Sequence, residues 1–208
     1  DAARSSDYES DKLAISLPLA SQEMVNLGQV SFAGETATNT QKSYLPIDIE
    51  SFFKPDRASD YYAYSSLRED YAMLFEELMM QSRFNVIRDV AITNQPSGSD
   101  ISASDYIVTW GQRGRIGDNT LIERALFSAS RVLPEFDSQT AISELPQPIP
   151  MVVGDNWLEN LSISPSLNRQ NDERKTRNGI TIENDLRTKQ IIQNQNFIRY
   201  YHKSLPDE

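Results

Sequence analysis

The sequence predicts a mostly α, α+β chain with a central buried helix at about residues 66–84 and few short strands. Three observations carry that prediction. Ser66 to Phe84 places apolar residues at helical spacing around most of its girth. A second helical pattern runs from Leu121 to Leu133 and stops at Pro134. Only Asn85 to Thr93 and the opening of Asp105 to Ile116 alternate as strands do.

The elements follow in order. Asp1 to Ser10 is small and polar and reads as a frayed start, and Pro18 breaks the apolar run Leu13 to Leu19. Ser21 is placed to cap a short helix carrying Met24, Val25 and Leu27, with Gly28 as its stop. Ala33 to Tyr44 has loop composition. Pro46 to Phe53 predicts a short helix with Asp48 in its first turn, ended at Lys54-Pro55. In the central helix, Leu67, Tyr71, Leu74 and Leu78 form one stripe, widened by Ala72, Phe75 and Met79. A second line carries Glu69, Met73, Glu76 and Met80. Asn94 to Ser104 is a loop, and Gly111, Gly114 and Gly117 predict turns after Trp110. Thr120 and Glu123 spell a capping box for the next helix, whose inner side is Ile122, Ala125, Leu126, Ala129 and Val132. Pro134, Pro146, Pro148 and Pro150 mark an irregular segment, and Met151 to Leu161 predicts a turn or two around Trp157. Residues 1–161 therefore read as the main globular portion, and 162–208 as a polar C-terminal extension with a last helix from Asp185 to Tyr201.

Composition removes several functions. Thirty Asp+Glu against twenty Lys+Arg leave a net charge of −10, which argues against nucleic acid as a partner. With no cysteine there is no thiolate nucleophile, disulfide or Cys-rich zinc site. No apolar run is long enough for a membrane span. The one histidine, His202, lies in the polar tail, and with no G-x-S-x-G elbow a Ser/His/Asp site has little to stand on. Arg113 and Arg115 beside the glycines offer an anion-binding alternative to plain turns. Asp1 in place of Met, with no leader pattern, sets the expectation of a processed chain or a piece of a longer parent.

One carboxylate stands apart. Glu69 falls in the first turn of the most apolar helix, where a rigid element can aim it. Ser66 three residues earlier gives the same glutamate a second reading, as the N3 partner of a capping box. Glu76 and Glu77 point about 100° apart, so they make no carboxylate dyad. Glu77 is expected on a solvated face and Glu76 behind Glu69, with Arg68, Arg83 or Arg88 as partners for charge on the buried line.

The run Ser65-Ser66-Leu67-Arg68-Glu69-Asp70-Tyr71-Ala72-Met73-Leu74-Phe75-Glu76-Glu77 resembles the E-D-x-A helix of gluzincin zinc metallopeptidases, over residues 56 to 90. The resemblance implies peptide-bond hydrolysis, with Glu69 as third zinc ligand and Tyr62, seven residues upstream, as a catalytic phenol assisting the oxyanion. Met73 departs from the polar residue often found four positions after that glutamate. The H-E-x-x-H helix, N-terminal to this one in the family, is absent. The expectation is thus the C-terminal portion of a metallopeptidase-like protein, inactive as this chain alone, with zinc in the full-length parent. Its partner would be a peptide or protein substrate, or its own N-terminal fragment, in a periplasmic or extracellular setting. The alternative is a non-catalytic secreted or periplasmic binding protein, lipid-anchored in its parent, that has lost zinc. That alternative would present the aromatic-rich segment 52 to 64 to a partner.

Overall fold

The computed structural model of the chain describes residues 8–162. The expected last helix, His202 and nearly all of the expected extension lie outside the described residues, as do residues 1–7 of the expected frayed start, whose Glu9 and Ser10 instead belong to a helix. The described part is mostly helical with a small antiparallel sheet, as the sequence predicts.

Helix α1 spans Glu9–Ser16 and buries Leu13. In α2, Gln22–Phe32, the Ser21 hydroxyl accepts from the Met24 amide at 3.2 Å, the cap expected from sequence. Gly28 does not stop this helix: it is buried mid-helix, and a Cβ there would lie 2.6 Å from the Tyr64 carbonyl oxygen. Glycine is needed for close approach, not for a turn. A short α3, Asn39–Lys42, interrupts the expected loop with its own Thr38/Gln41 capping box. Helix α4, Pro46–Phe53, starts on proline, and its Asp48 carboxylate accepts from the Leu45 amide at 2.8 Å. A 3₁₀ turn, Tyr61–Tyr64, then leads into α5, Leu67–Phe84, which ends on Asn85 in the left-handed conformation.

Strand β1, Asp89–Thr93, pairs antiparallel with β2, Val108–Arg113, and β2 with the two-residue β3, Ile149–Pro150. A 3₁₀ turn at Arg115–Gly117 connects β2 to α6, Ile122–Val132. Thr120 does not cap α6: its hydroxyl donates to Asp118 at 2.8 Å, and the helix starts without a side-chain cap. Helices α7, Ser138–Ser143, and α8, Trp157–Asn160, complete the described residues.

The described residues form two apolar clusters. One joins Leu13, Leu74, Leu78, Ile116, Leu121, Ala125 and Ala129. The other joins Met24, Phe53, Ala58, Ala63, Tyr64 and Trp110. Phe53 and Tyr64 are therefore core, which removes much of the aromatic surface that the binding-protein reading assigned to 52 to 64. The buried face of α5 carries Asp70, Met73, Leu74, Glu77, Leu78 and Gln81, whereas Leu67 is 46% exposed. On α6, Arg124 and Ser128 join Ala125 and Ala129 inside, and Val132 is exposed.

Candidate functional site

Glu69 sits in the first turn of α5, half-buried. Ser66 Oγ accepts from the Glu69 amide at 3.2 Å, so half of the capping box is formed. The reciprocal half is not: the Glu69 carboxylate makes no hydrogen bond or ion pair among the described residues. Its neighbour Asp70 is the fully buried carboxylate of this turn. Arg124 of α6 meets it bidentately, Nη1 donating to Oδ1 at 3.0 Å and Nη2 to Oδ2. Arg124 also donates to the carbonyls of Leu17 at 2.9 Å and Arg57 at 2.7 Å. Burial pushes the Asp70 carboxyl above the ordinary range against the pull of Arg124. The pair fixes the turn that carries Glu69.

Tyr62 lies on the 3₁₀ turn directly ahead of α5, half-buried, edge-on to Phe32 at 5.5 Å between ring centroids. Asp60 caps that turn, its Oδ1 accepting from the amides of Tyr62 at 2.8 Å and Ala63 at 3.3 Å. Asp60 Oδ2 accepts from Arg88 Nη1 at 2.9 Å. Burial raises the Asp60 carboxyl despite that guanidinium. Tyr62 thus lies on the turn ahead of α5, capped by Asp60, and Glu69 in the first turn of α5, beside the Asp70–Arg124 pair.

The positions of Glu76 and Glu77 are the reverse of the sequence expectation. Glu77 is 4% exposed and Glu76 is the exposed one, bound to Arg88 Nη2 at 2.9 Å. The buried arc of α5 is wide enough to take in Asp70, Met73, Glu77 and Gln81 beside the leucine stripe. Burial pushes the Glu77 carboxyl up to about 7, with Arg88 pulling the other way from 3.6 Å. Burial alone would lower Arg88, and Glu77, Asp60 and Glu76 together raise it. Of the three arginines expected to serve the buried line, Arg88 does so. Arg68 lies over Tyr8 and Arg83 over Phe136.

The anion-binding alternative at the glycines finds its arginines committed. Arg113 donates to Asp89 at 2.9 Å, and Arg115 is buried among carbonyl oxygens. Gly114, at φ +70°, supplies the left-handed turn between them.

Zinc requires several converging protein ligands. Among the described residues no three His, Cys, Asp or Glu side chains are placed to hold a metal ion, so this part of the chain does not by itself fit zinc. No described helix is long and apolar enough to cross a membrane. No protein-family model, curated protein or solved structure matches the chain.

Sequence reasoning missed Asp70 and Arg124 as a pair because they lie 54 positions apart. It missed Glu77 because that residue sits at the edge of the apolar stripe, and Gln81 because it continues the stripe's spacing with a polar side chain. The one available signal was that α5 is too apolar all round to keep every polar residue in solvent.

Proposed function

We propose that the chain is the C-terminal portion of a zinc-dependent, metallopeptidase-like protein of gluzincin type, inactive on its own. In this reading Glu69 is the third zinc ligand of the parent and Tyr62 the phenol beside the reacting carbonyl. The histidines and general base come from outside these residues. The substrate is a peptide or protein, encountered in the periplasm or outside the cell.

The observation that carries the reading is a Glu69 carboxylate uncommitted among the described residues, on a turn immobilised by its neighbour. A metal ligand must be oriented before the metal arrives and must not be spent on another partner. The Asp70–Arg124 pair supplies orientation, and the missing return bond to Ser66 leaves the carboxylate available. The alternative, a binding protein that has lost zinc, draws on the absence of a three-ligand group among the described residues.

The test is metal analysis and peptidase assay of the full-length parent. Wild-type protein is expected to carry one zinc, and Glu69→Gln to lose it while keeping its circular dichroism spectrum and unfolding midpoint. Tyr62→Phe should retain zinc and lower kcat by roughly 10²–10³. A zinc-free parent, or one whose zinc survives Glu69→Gln, would remove the reading and leave the binding protein.

A further inference from the structure

Away from Glu69, α5 borders a cavity of about 70 Å³ lined by Glu76, Glu77, Met80, Gln81, Val86, Arg88 and Ile116. This is room for several waters or one small organic cation. The floor is polar and unsatisfied: among the described residues Glu77 Oε1 and both side-chain polar atoms of Gln81 have no hydrogen-bond partner. Glu77 is 4% exposed and Gln81 7% exposed. Leaving such groups unpaired is costly, and the cost is relieved by whatever fills the space. The mouth lies at Glu76, Met80 and Val86, which are exposed, and Val86, Met80 and Ile116 give the walls apolar surface.

Charge selects the occupant. Glu77, Glu76 and Asp60 surround one guanidinium, Arg88, which lies 3.6 Å from Glu77 and spends its shorter bonds on Asp60 and Glu76. An anion is disfavoured by the carboxylate excess. A divalent metal is disfavoured by the lack of three converging ligands among the described residues. A group with several N–H donors and one positive charge matches Glu77 Oε1 and Gln81 Oε1, and an apolar stem matches the walls.

We propose that this cavity binds a primary ammonium group on a short apolar stem, its N–H groups donating to Glu77 and Gln81 and its stem lying against Met80, Val86 and Ile116. The occupant is a small free alkylamine or a lysine side chain, which share that chemistry. Because the cavity is distinct from Glu69 and Tyr62, the inference does not rest on the metallopeptidase reading.

The experiment is thermal unfolding of the intact chain with n-propylammonium chloride, against potassium chloride at equal ionic strength. Nα-acetyl-lysine methylamide serves as the side-chain probe. Wild-type Tm is expected to rise saturably by a few degrees when either amine stands about tenfold above its Kd, and potassium to have no saturable effect. The tighter of the two amines identifies the source. Glu77→Gln should weaken binding at least about tenfold. Val86→Trp, at the exposed mouth, should block it without unfolding the chain. No saturable shift with either amine, an equal shift with potassium, or an unchanged shift in both variants would overturn the proposal and leave the cavity to water.

Discussion

At the scale of single residues, the buried charges divide by whether they are matched. Asp70 and Arg124 are matched: the carboxylate receives two bonds from the guanidinium, which also serves two carbonyls. Such a pair adds little net stability, because desolvation offsets attraction, but half of it is worse than none. Asp70→Asn should therefore cost about 3–5 kcal/mol by leaving Arg124 buried without a counter-charge. The double variant Asp70→Leu/Arg124→Met should recover much of that loss. Urea midpoints of Asp70→Leu, Arg124→Met and the double decide it, and additive losses would refute the pairing argument. Glu77 is only partly matched, its one guanidinium, Arg88, standing 3.6 Å away and shared with Asp60 and Glu76, and its signature is a pH dependence. Its folded pKa of about 7 lies above the ordinary 4.5, so its contribution is fully present below 4.5 and is lost as pH rises through about 7. The difference amounts to about 3 kcal/mol. Glu77→Gln, which mimics the protonated form, should match wild type near pH 4.5 and exceed it by about that amount at pH 8. Parallel stability curves for the two proteins would rule out a raised Glu77.

Elements show why a cap and a close approach look different in sequence. Ser21 was legible because a cap is a local device: hydroxyl and amide are three residues apart. Strands β1 and β2 and the span of α5 were legible for the same reason, as short-range periodicity, whereas α7 and β3 fall in the segment read as irregular. Gly28 was not, because the atom that requires a glycine there is the carbonyl of Tyr64, 36 positions away. Nor was the fate of Thr120, whose hydroxyl is taken by Asp118 before it can cap α6. At the candidate site the same division holds. The placement of Glu69 in a first turn followed from spacing, whereas the anchoring of that turn through Asp70 depends on Arg124 of α6. Gly28 gives the element-scale test. In an exposed helix, Gly→Ala adds stability of about 1 kcal/mol. Here the added methyl would stand 2.6 Å from the Tyr64 carbonyl oxygen and 2.8 Å from its Cβ, so α2 must move off the 3₁₀ turn. Gly28→Ala is expected to destabilise by about 1–3 kcal/mol, measured by denaturant unfolding, and a gain in stability would show that α2 is free to shift.

Across the described molecule, the segment 54–60 is where distant parts of the chain meet. It carries little regular structure, and its backbone oxygens are claimed from two sides. Arg115, at 1% exposure, donates to the carbonyls of Phe53, Lys54, Asp56 and Ala58, and its guanidinium lies over both the Phe53 ring, at 4.6 Å from the centroid, and the Trp110 ring, at 5.1 Å. Arg124 takes the carbonyl of Arg57. The Asp56 carboxylate reaches the other way, accepting from the amides of Ala20 and Ser21 and from the Tyr64 hydroxyl at 2.6 Å. The phenol of Tyr64 is accordingly held far above its ordinary range, first by burial and then by Asp56. These contacts make the segment a shared joint between the two apolar clusters, so perturbations at its two ends should not be independent. Tyr64→Phe removes a hydrogen bond to a charged group, at a cost of about 1.5–3 kcal/mol. Arg115→Lys keeps the charge but replaces a planar five-donor fork with a single ammonium, which cannot serve four carbonyls and Gln112 together. Once either change has loosened 54–60, the other has less ordered structure left to disturb. A double-mutant cycle on urea midpoints should give a coupling of about 0.5–3 kcal/mol, the double loss being smaller than the sum of the singles. Additivity within about 0.5 kcal/mol would mean that the two ends of the joint yield separately.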